Sequence, residues 1–309
     1  MVKQSRPPDE LILIDDSSTD GSQRVVDDLA RHYPYIKVVK HAINRGINLT
    51  LQEALEIATG DYLYAGGADD MVLPGFFESA MSLLERFPTA PICAGVPVIW
   101  REDLDEQFET CEAMPREPGF LAPAELWPLS RAGALELCGA WALFRVADLR
   151  ALGGFRDSLR WHSDWFPIYA LALSRGLAWT ASPTAVMRLH AGNYSSIGPD
   201  RRRQQAQVLA ELARLVAAEV SPEIQTGFRK SGILGQLEWP MARALVAERR
   251  FWPQLALPFW RVWLGRLRYR VVAAIARAIV PAKIRHAVGR TIRKQTTFDL
   301  SVMKPRKMV

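Results

Sequence analysis

Acidic residues stand at three places in this chain of 309 where carboxylates can do chemistry. Asp15 and Asp16 end the apolar run Leu11–Ile14 and precede a turn of Ser, Thr, Asp and Gly. Asp69 and Asp70 follow Tyr62-Leu63-Tyr64-Ala65 and the small residues Gly66-Gly67-Ala68. Asp164 comes after a Gly153-Gly154-Phe155 turn, flanked by Trp161, His162, Ser163 and Trp165. Carboxylates past the ends of buried strands lie at the edge where open α/β sheets bind ligands, and two such clusters can converge on one cleft. Paired acids there suit a divalent cation, and a carboxylate opening a helix can accept a proton. Arg188 and His190 sit two apart, so a strand through them points both to one face, able to meet an anion and a cation together.

The elements that must hold these groups follow from pattern. An unbroken apolar run ended by turn residues suits a strand buried on both faces. Strands are predicted at Leu11–Ile14, Ile36–Val39, Asp61–Ala65, Ile92–Trp100, around Leu143-Phe144 and at about Thr184–Leu189. Helical spacing of apolar residues predicts helices over Val25–Tyr33, 47–58 (with Gly60 just past its end), from Pro74 to Phe87, and from near Asp164. Asp20 or a neighbouring Ser or Thr is placed to cap the first of these. Residues 101–135, with several prolines and mixed charge, read as an irregular connection, and from Asp200 onward the pattern is helical. Strand and helix in alternation predict an α/β fold with a mostly parallel central sheet flanked by helices.

Composition sets bounds. Hydrophobic residues make up 49% and charged residues 23%, a balance suited to one large domain or a domain with an appendage. Cys93, Cys111 and Cys138 show no metal-ligand spacing and fit a reducing compartment. No stretch is long and apolar enough for a transmembrane helix. Charge is divided: residues 261–309 hold 13 Lys and Arg against one acid, Asp299, so that segment is +12 and the rest of the chain −6.

Leu-Ile-Leu-Ile-Asp-Asp-Ser-Ser-Thr-Asp-Gly-Ser at 11–22 resembles the nucleotide-sugar motif of family-2 glycosyltransferases, and Gly67-Ala68-Asp69-Asp70 resembles their metal loop. Asn44-Arg45-Gly46, the Gly-Gly-Phe turn and Arg188-x-His190 complete the ordered set, over residues 8 to about 196. The resemblance implies a GT-A fold over 1–198, followed by a helical region, 199–309, with a basic amphipathic tail. It implies inverting transfer of a sugar from a nucleotide-diphosphate donor to a saccharide or lipid-linked acceptor, in cell-surface polysaccharide or glycolipid assembly. By the same resemblance Asp164 is the catalytic base; Asp15, Asp16, Ser18, Asn44, Arg45, Asp69 and Arg188 face the nucleotide sugar; and Asp69, Asp70 and His190 hold Mg²⁺ or Mn²⁺. Trp161, His162 and Trp165 are acceptor candidates, the tryptophans equally suited to packing.

Three departures mark this chain within that resemblance. Gly67 stands where the metal loop usually has its first acid, and Ser163 where a second acid often precedes the base. Only Gln4–Pro8 stand before the first motif, where family members carry a further strand and helix of about 30 residues. A misassigned start or a truncated gene is expected, and a catalytically inactive homologue that binds partners or membrane is the alternative reading.

In the tail, Trp260, Trp263, Leu264, Leu267, Val271, Ala274, Ile275 and Ala278 fall on one helical face, with Arg261, Arg266, Arg270 and Arg277 off it. That pattern suits a helix lying on an anionic membrane surface through 259–294, or one packed on the body with a solvated basic side. No recognition motif for nucleic acid accompanies the charge, and no nucleic-acid partner is expected. The predicted location is cytoplasmic, peripheral on the inner face of the plasma membrane.

Overall fold

The computed structural model describes residues 1–111, 113–190, 192–193, 201–247 and 249–279. The chain begins with β1 (Leu11–Asp15), α1 (Ser22–His32), β2 (Ile36–Lys40), α2 (Ile47–Ile57) and β3 (Tyr62–Tyr64). It continues through β4 (Met71–Val72), α3 (Phe76–Arg86), β5 (Ile92–Arg101), β6 (Glu106–Glu109), β7 (Gly119–Leu121) and α4 (Pro123–Arg131). Then come β8 (Ala142–Arg145), α5 (Val146–Ala151), α6 (Trp165–Arg175) and β9 (Leu177–Leu189). Helices α7 (Arg201–Arg214), α8 (Pro222–Ser231), α9 (Glu238–Val246) and α10 (Leu257–Ile279) follow, joined by short 3₁₀ and π turns.

The α/β class and flanking helices are as the pattern predicts, but the sheet is mixed. β1 and β2 pair in parallel as a separate two-stranded unit. The larger sheet runs β3-β8-β5-β9-β4. There, among the described residues, only β5 and β9 are parallel, while β3·β8, β5·β8, β4·β9, β5·β6 and β7·β9 are antiparallel. An apolar run reports burial on both faces; strand direction is set by the connections, which the run does not encode. Residues 101–135 are correspondingly less irregular than their composition suggests. β6 folds back on β5, β7 lines β9, and α4 starts with Pro123 at its first turn.

The core lies between this sheet and α6, α7 and α8. Phe144, Phe155, Phe166, Trp179 and Phe228 are fully buried there, and Phe166 stacks on Phe228 at 6.3 Å between centroids. A second cluster joins α3, through Phe76, Phe77, Ala80 and Leu84, to Cys93 and Leu143. The first unit is less enclosed. Leu11 to Ile14 are only half-buried, and α1 buries no residue despite its amphipathic sequence.

Candidate active site

The Asp15-Asp16 pair ends β1 and is committed to its own loops. Asp15 is 4% exposed, and its Oδ1 accepts from the Ser18 backbone N–H at 3.2 Å. Bonding from Ser18 holds its pKa low. Asp16 Oδ1 accepts from the Arg45 N–H at 2.8 Å and from His41 Nδ1 at 2.6 Å, and Oδ2 from the Gly46 N–H at 2.8 Å. Asn44 Nδ2 donates to the Asp16 carbonyl at 3.1 Å. Burial works to raise the Asp16 pKa, but bonds from Arg45, His41 and Gly46 outweigh it and leave it lowered. Asp16 thereby shapes the Asn44-Arg45-Gly46 turn that starts α2. The Arg45 guanidinium pairs with Glu53 at 2.5 Å rather than standing open for a phosphate.

The second cluster gathers on the β9 end of the larger sheet. His190 Nε2 lies 3.2 Å from Asp69 Oδ2, and Asn193 Nδ2 reaches the same oxygen at 3.4 Å. Asp70 turns the other way, its Oδ1 accepting from the Arg188 N–H at 3.1 Å. Burial, and after it the nearby Asp69 charge, push the Asp70 pKa up to about 6. A side-chain carbon added at Gly67 would meet Asp69 Oδ1 at 2.4 Å, so glycine in place of the usual first acid lets the Asp69 carboxylate fold back over its loop. The Arg188 guanidinium pairs with Glu102 at 2.5 Å and lies over the Trp100 ring. Among the described residues no group of three or more His, Cys, Asp and Glu is assembled for a metal.

Asp164 is differently housed. It stands at the N-terminus of α6, where its Oδ2 accepts from the Gly139 N–H at 3.3 Å and from the Cys138 thiol at 3.6 Å. A side-chain carbon at Gly139 would fall 2.8 Å from the Asp164 Cβ, so only glycine permits this approach. Part of the residue's surface stays open, yet the carboxyl group lies deep among protein atoms. Burial raises its pKa, and the Gly139 N–H offsets this only in part.

A chain of contacts joins the three clusters into one neighbourhood. Tyr64, at the end of β3, is raised by burial and then by the nearby charges of Asp70 and Cys138, and Cys138 bonds Asp164. On the other side, Asn48 and Gln52 of α2 hold the segment before Asp164: Asn48 Nδ2 donates to the Arg160 carbonyl at 3.0 Å and Gln52 Oε1 accepts from the Phe155 N–H at 2.9 Å. The acceptor candidates divide. Trp165 packs on Tyr169 and Phe228, Trp161 Nε1 donates to Gln205 at 2.8 Å, and His162 lies between these two tryptophan rings. Tyr194 and Ser195 lie outside the described residues. Sequence reasoning missed Asn48, Tyr64, Cys138, Gly139 and Asn193 as parts of this arrangement. Asn48, Cys138 and Gly139 have no local signal, since their partners lie 25 to 112 positions away.

Asp69 and His190 offer one carboxylate and one imidazole, with Asp70 beside them. Burial, and after it the Asp69 charge, disfavour ionised Asp70, and a cation beside it would favour the ionised form. That donor set fits Mg²⁺ or Mn²⁺ completed by phosphate oxygens.

The family model for glycosyl transferase family 2 matches residues 1–152. EpsE of Bacillus subtilis (strain 168), named a glycosyltransferase, is 28% identical over 161 residues, covering 52% of this chain and 54% of EpsE. GgaB of the same strain, a minor teichoic acid biosynthesis protein, is 27% identical over 93 residues, 30% of this chain and 10% of GgaB. The chain thus spans about half of EpsE and a small part of GgaB. Among solved structures, residues 1–349 of Staphylococcus aureus TarS in complex with UDP-GlcNAc superpose with a TM-score of 0.56 at 14% identity, covering 76% of this chain and 65% of that one. The shared architecture is the GT-A fold, and residues 1–152 form a glycosyl transferase family 2 region.

Proposed function

We propose that the protein is an inverting glycosyltransferase that moves a sugar from a nucleotide-diphosphate donor to a saccharide or lipid-linked acceptor in cell-surface polysaccharide or glycolipid assembly. The observation that carries this reading is the pairing of opposite environments in one neighbourhood. A cation-ready pair, Asp69 and His190, lies on one side, and a buried carboxylate of raised pKa, Asp164, on the other. TarS binds UDP-GlcNAc on a fold of this kind, and GgaB's name places it in teichoic acid synthesis; both support the donor and product classes.

In this reading Asp164 accepts the proton of the acceptor hydroxyl as that oxygen attacks the anomeric carbon, and the nucleoside diphosphate leaves from the opposite face. One attack inverts the configuration. The raised pKa of Asp164 makes it a stronger base than an ordinary carboxylate once ionised. Asp15, Ser18 and Asp16 fix the first loop, and Asn44-Arg45-Gly46 is shaped by Asp16 to line the donor's nucleotide. Mg²⁺ or Mn²⁺, held by Asp69 and His190 with Asp70 alongside, would neutralise charge on the departing diphosphate. Arg188, paired to Glu102, positions Asp70 through its backbone N–H.

Peripheral attachment to an anionic membrane belongs to the same reading. α10 packs inward through Phe259 and Val262. It leaves Leu257, Leu264, Leu267 and Val271 exposed, at spacings of three, four and seven, beside exposed Arg261, Arg266, Arg268 and Arg270, and it carries no acid. An apolar stripe with a basic border suits a lipid surface. No helix among the described residues is long and apolar enough to cross a membrane, and residues 280–294 of the expected surface lie outside them.

The deciding experiment incubates the protein with Mn²⁺ and a panel of nucleotide sugars. Metal-dependent release of the nucleoside diphosphate from one donor is the expected result. Calorimetry that finds no metal-dependent nucleotide binding would overturn the reading in favour of an inactive homologue.

A further inference from the structure

Four residues before the base, the backbone takes a conformation that its side chain disfavours. Arg160 has φ 49° and ψ −121°, a positive-φ backbone that glycine adopts without strain. Its side chain is exposed, so packing of the arginine does not hold the backbone there. Two donors hold its carbonyl instead: the Ser163 N–H at 3.0 Å within the turn, and Asn48 Nδ2, also at 3.0 Å, from 112 positions earlier.

Asn48 is itself 4% exposed and sits in the first turn of α2, two residues after Gly46, whose N–H is bound by Asp16. Its amide also reaches Asp157 Oδ1 at 3.4 Å, at the start of the same turn. A buried primary amide is kept only where its donors are matched. Here both matches lie on one segment, which runs through buried Leu159 and buried Ser163 into Asp164. The chain of bonds therefore leads from the loop shaped by Asp16, through Asn48, to the Arg160 carbonyl, four residues before the proposed base.

We propose that Asn48 is a positioning residue. By holding the Arg160 carbonyl it keeps the 157–163 turn in its strained form and sets the Asp164 carboxylate in register with the donor loop. This inference rests on the function proposed above for its kinetic consequence, though not for its structural content. Strained backbone of this kind persists only where surrounding contacts over-determine it, and Asn48 supplies a bond to the Arg160 carbonyl itself from outside the turn.

The test pairs removal of the tie with removal of the strain. Asn48→Ala should lower kcat by about 10²-fold, the scale expected of a reacting group misplaced by an ångström, with the donor Kd unchanged by calorimetry. Asn48→Asp, which keeps the shape but turns a donor into an acceptor facing the Arg160 carbonyl and Asp157, should be worse than alanine. Arg160→Gly, which adopts this φ without strain, should restore most of kcat when combined with Asn48→Ala. A merely structural Asn48 would lower Tm in the single variant and gain nothing in kcat from the glycine. Hydrogen exchange of the Ser163 amide gives a readout apart from turnover: protected in the wild type, exposed in Asn48→Ala, and protected again in the double variant. Should the wild type show no transfer with any donor, the proposed function fails while the exchange pattern still decides the positioning role. Unchanged Ser163 protection in Asn48→Ala, or no recovery in the double variant, overturns the proposal.

Discussion

Asp16 and Asp164 are the same residue type at the entrance to a helix, in opposite surroundings. Asp16 receives two backbone N–H bonds and one from His41, and its pKa falls. Asp164 also receives backbone N–H bonds, Gly139 foremost, and one from a weakly donating thiol, but its deeper burial outweighs them and its pKa rises. The difference teaches that the balance of burial against bonds, rather than position in a motif, separates a carboxylate that builds a loop from one able to take up a proton.

The sharpest way to break the comparison is Asp164→Asn. Transfer should fall by about 10³-fold or more, within the range for loss of a general base together with its electrostatic role, while donor binding by calorimetry stays intact. Wild-type turnover by this variant would remove Asp164 from the chemistry. The pH profile follows from the same raised pKa. Only ionised Asp164 can accept a proton, so kcat/KM should fall as pH drops through a value above the ordinary carboxylate range. An acid limb at or below that range would contradict it.

Next in size is metal-linked binding. Asp69→Ala should abolish Mn²⁺-dependent donor binding in calorimetry, and His190→Ala should weaken it by about tenfold. Equal donor affinity with and without metal in the wild type would sink the assignment of both residues.

Stability then separates the two aspartates by sign. A lowered pKa means Asp16 contributes stability above its unfolded-state pKa, lost as pH falls through the folded value. Asp16→Ala removes the charged acceptor of the Arg45 and Gly46 N–H groups and should cost about 2 kcal/mol in urea unfolding at neutral pH. A raised pKa means ionised Asp164 lowers stability as pH climbs through it, so Asp164→Asn should leave the protein at least as stable as the wild type at neutral pH. Equal losses from both variants would erase the contrast. The smallest effect on catalysis is expected furthest away. Leu267→Glu with Val271→Glu should reduce co-sedimentation with phosphatidylglycerol-containing vesicles by about tenfold and leave turnover on a soluble acceptor unchanged.

Much of the frame was legible before the coordinates. The helix at 47–58 is found at Ile47–Ile57, the strand at Ile92–Trp100 reaches Arg101, and the helix near Asp164 begins at Trp165. Their signals are local: periodicity, caps and turn residues. Strand Thr184–Leu189 proved to start at Leu177, because its first half has pairing partners on both β5 and β7 that local pattern does not register. Likewise β6 and β7 take their extended form from the strands they join, within a stretch whose prolines and charges predict no structure.

By itself the sequence determined which chemistry was possible: acids after strands, an arginine and histidine two apart, a glycine where one acid is usual, and a basic end on an acidic body. Local rules suffice for those, since they concern neighbours within a few residues. Only the tertiary structure decided which carboxylate is gripped and which is left to be desolvated, that Arg45 and Arg188 are paired to Glu53 and Glu102, and that a buried asparagine reaches the turn before Asp164. Desolvation and hydrogen-bond supply come from atoms far along the chain, and no spacing within a motif carries them.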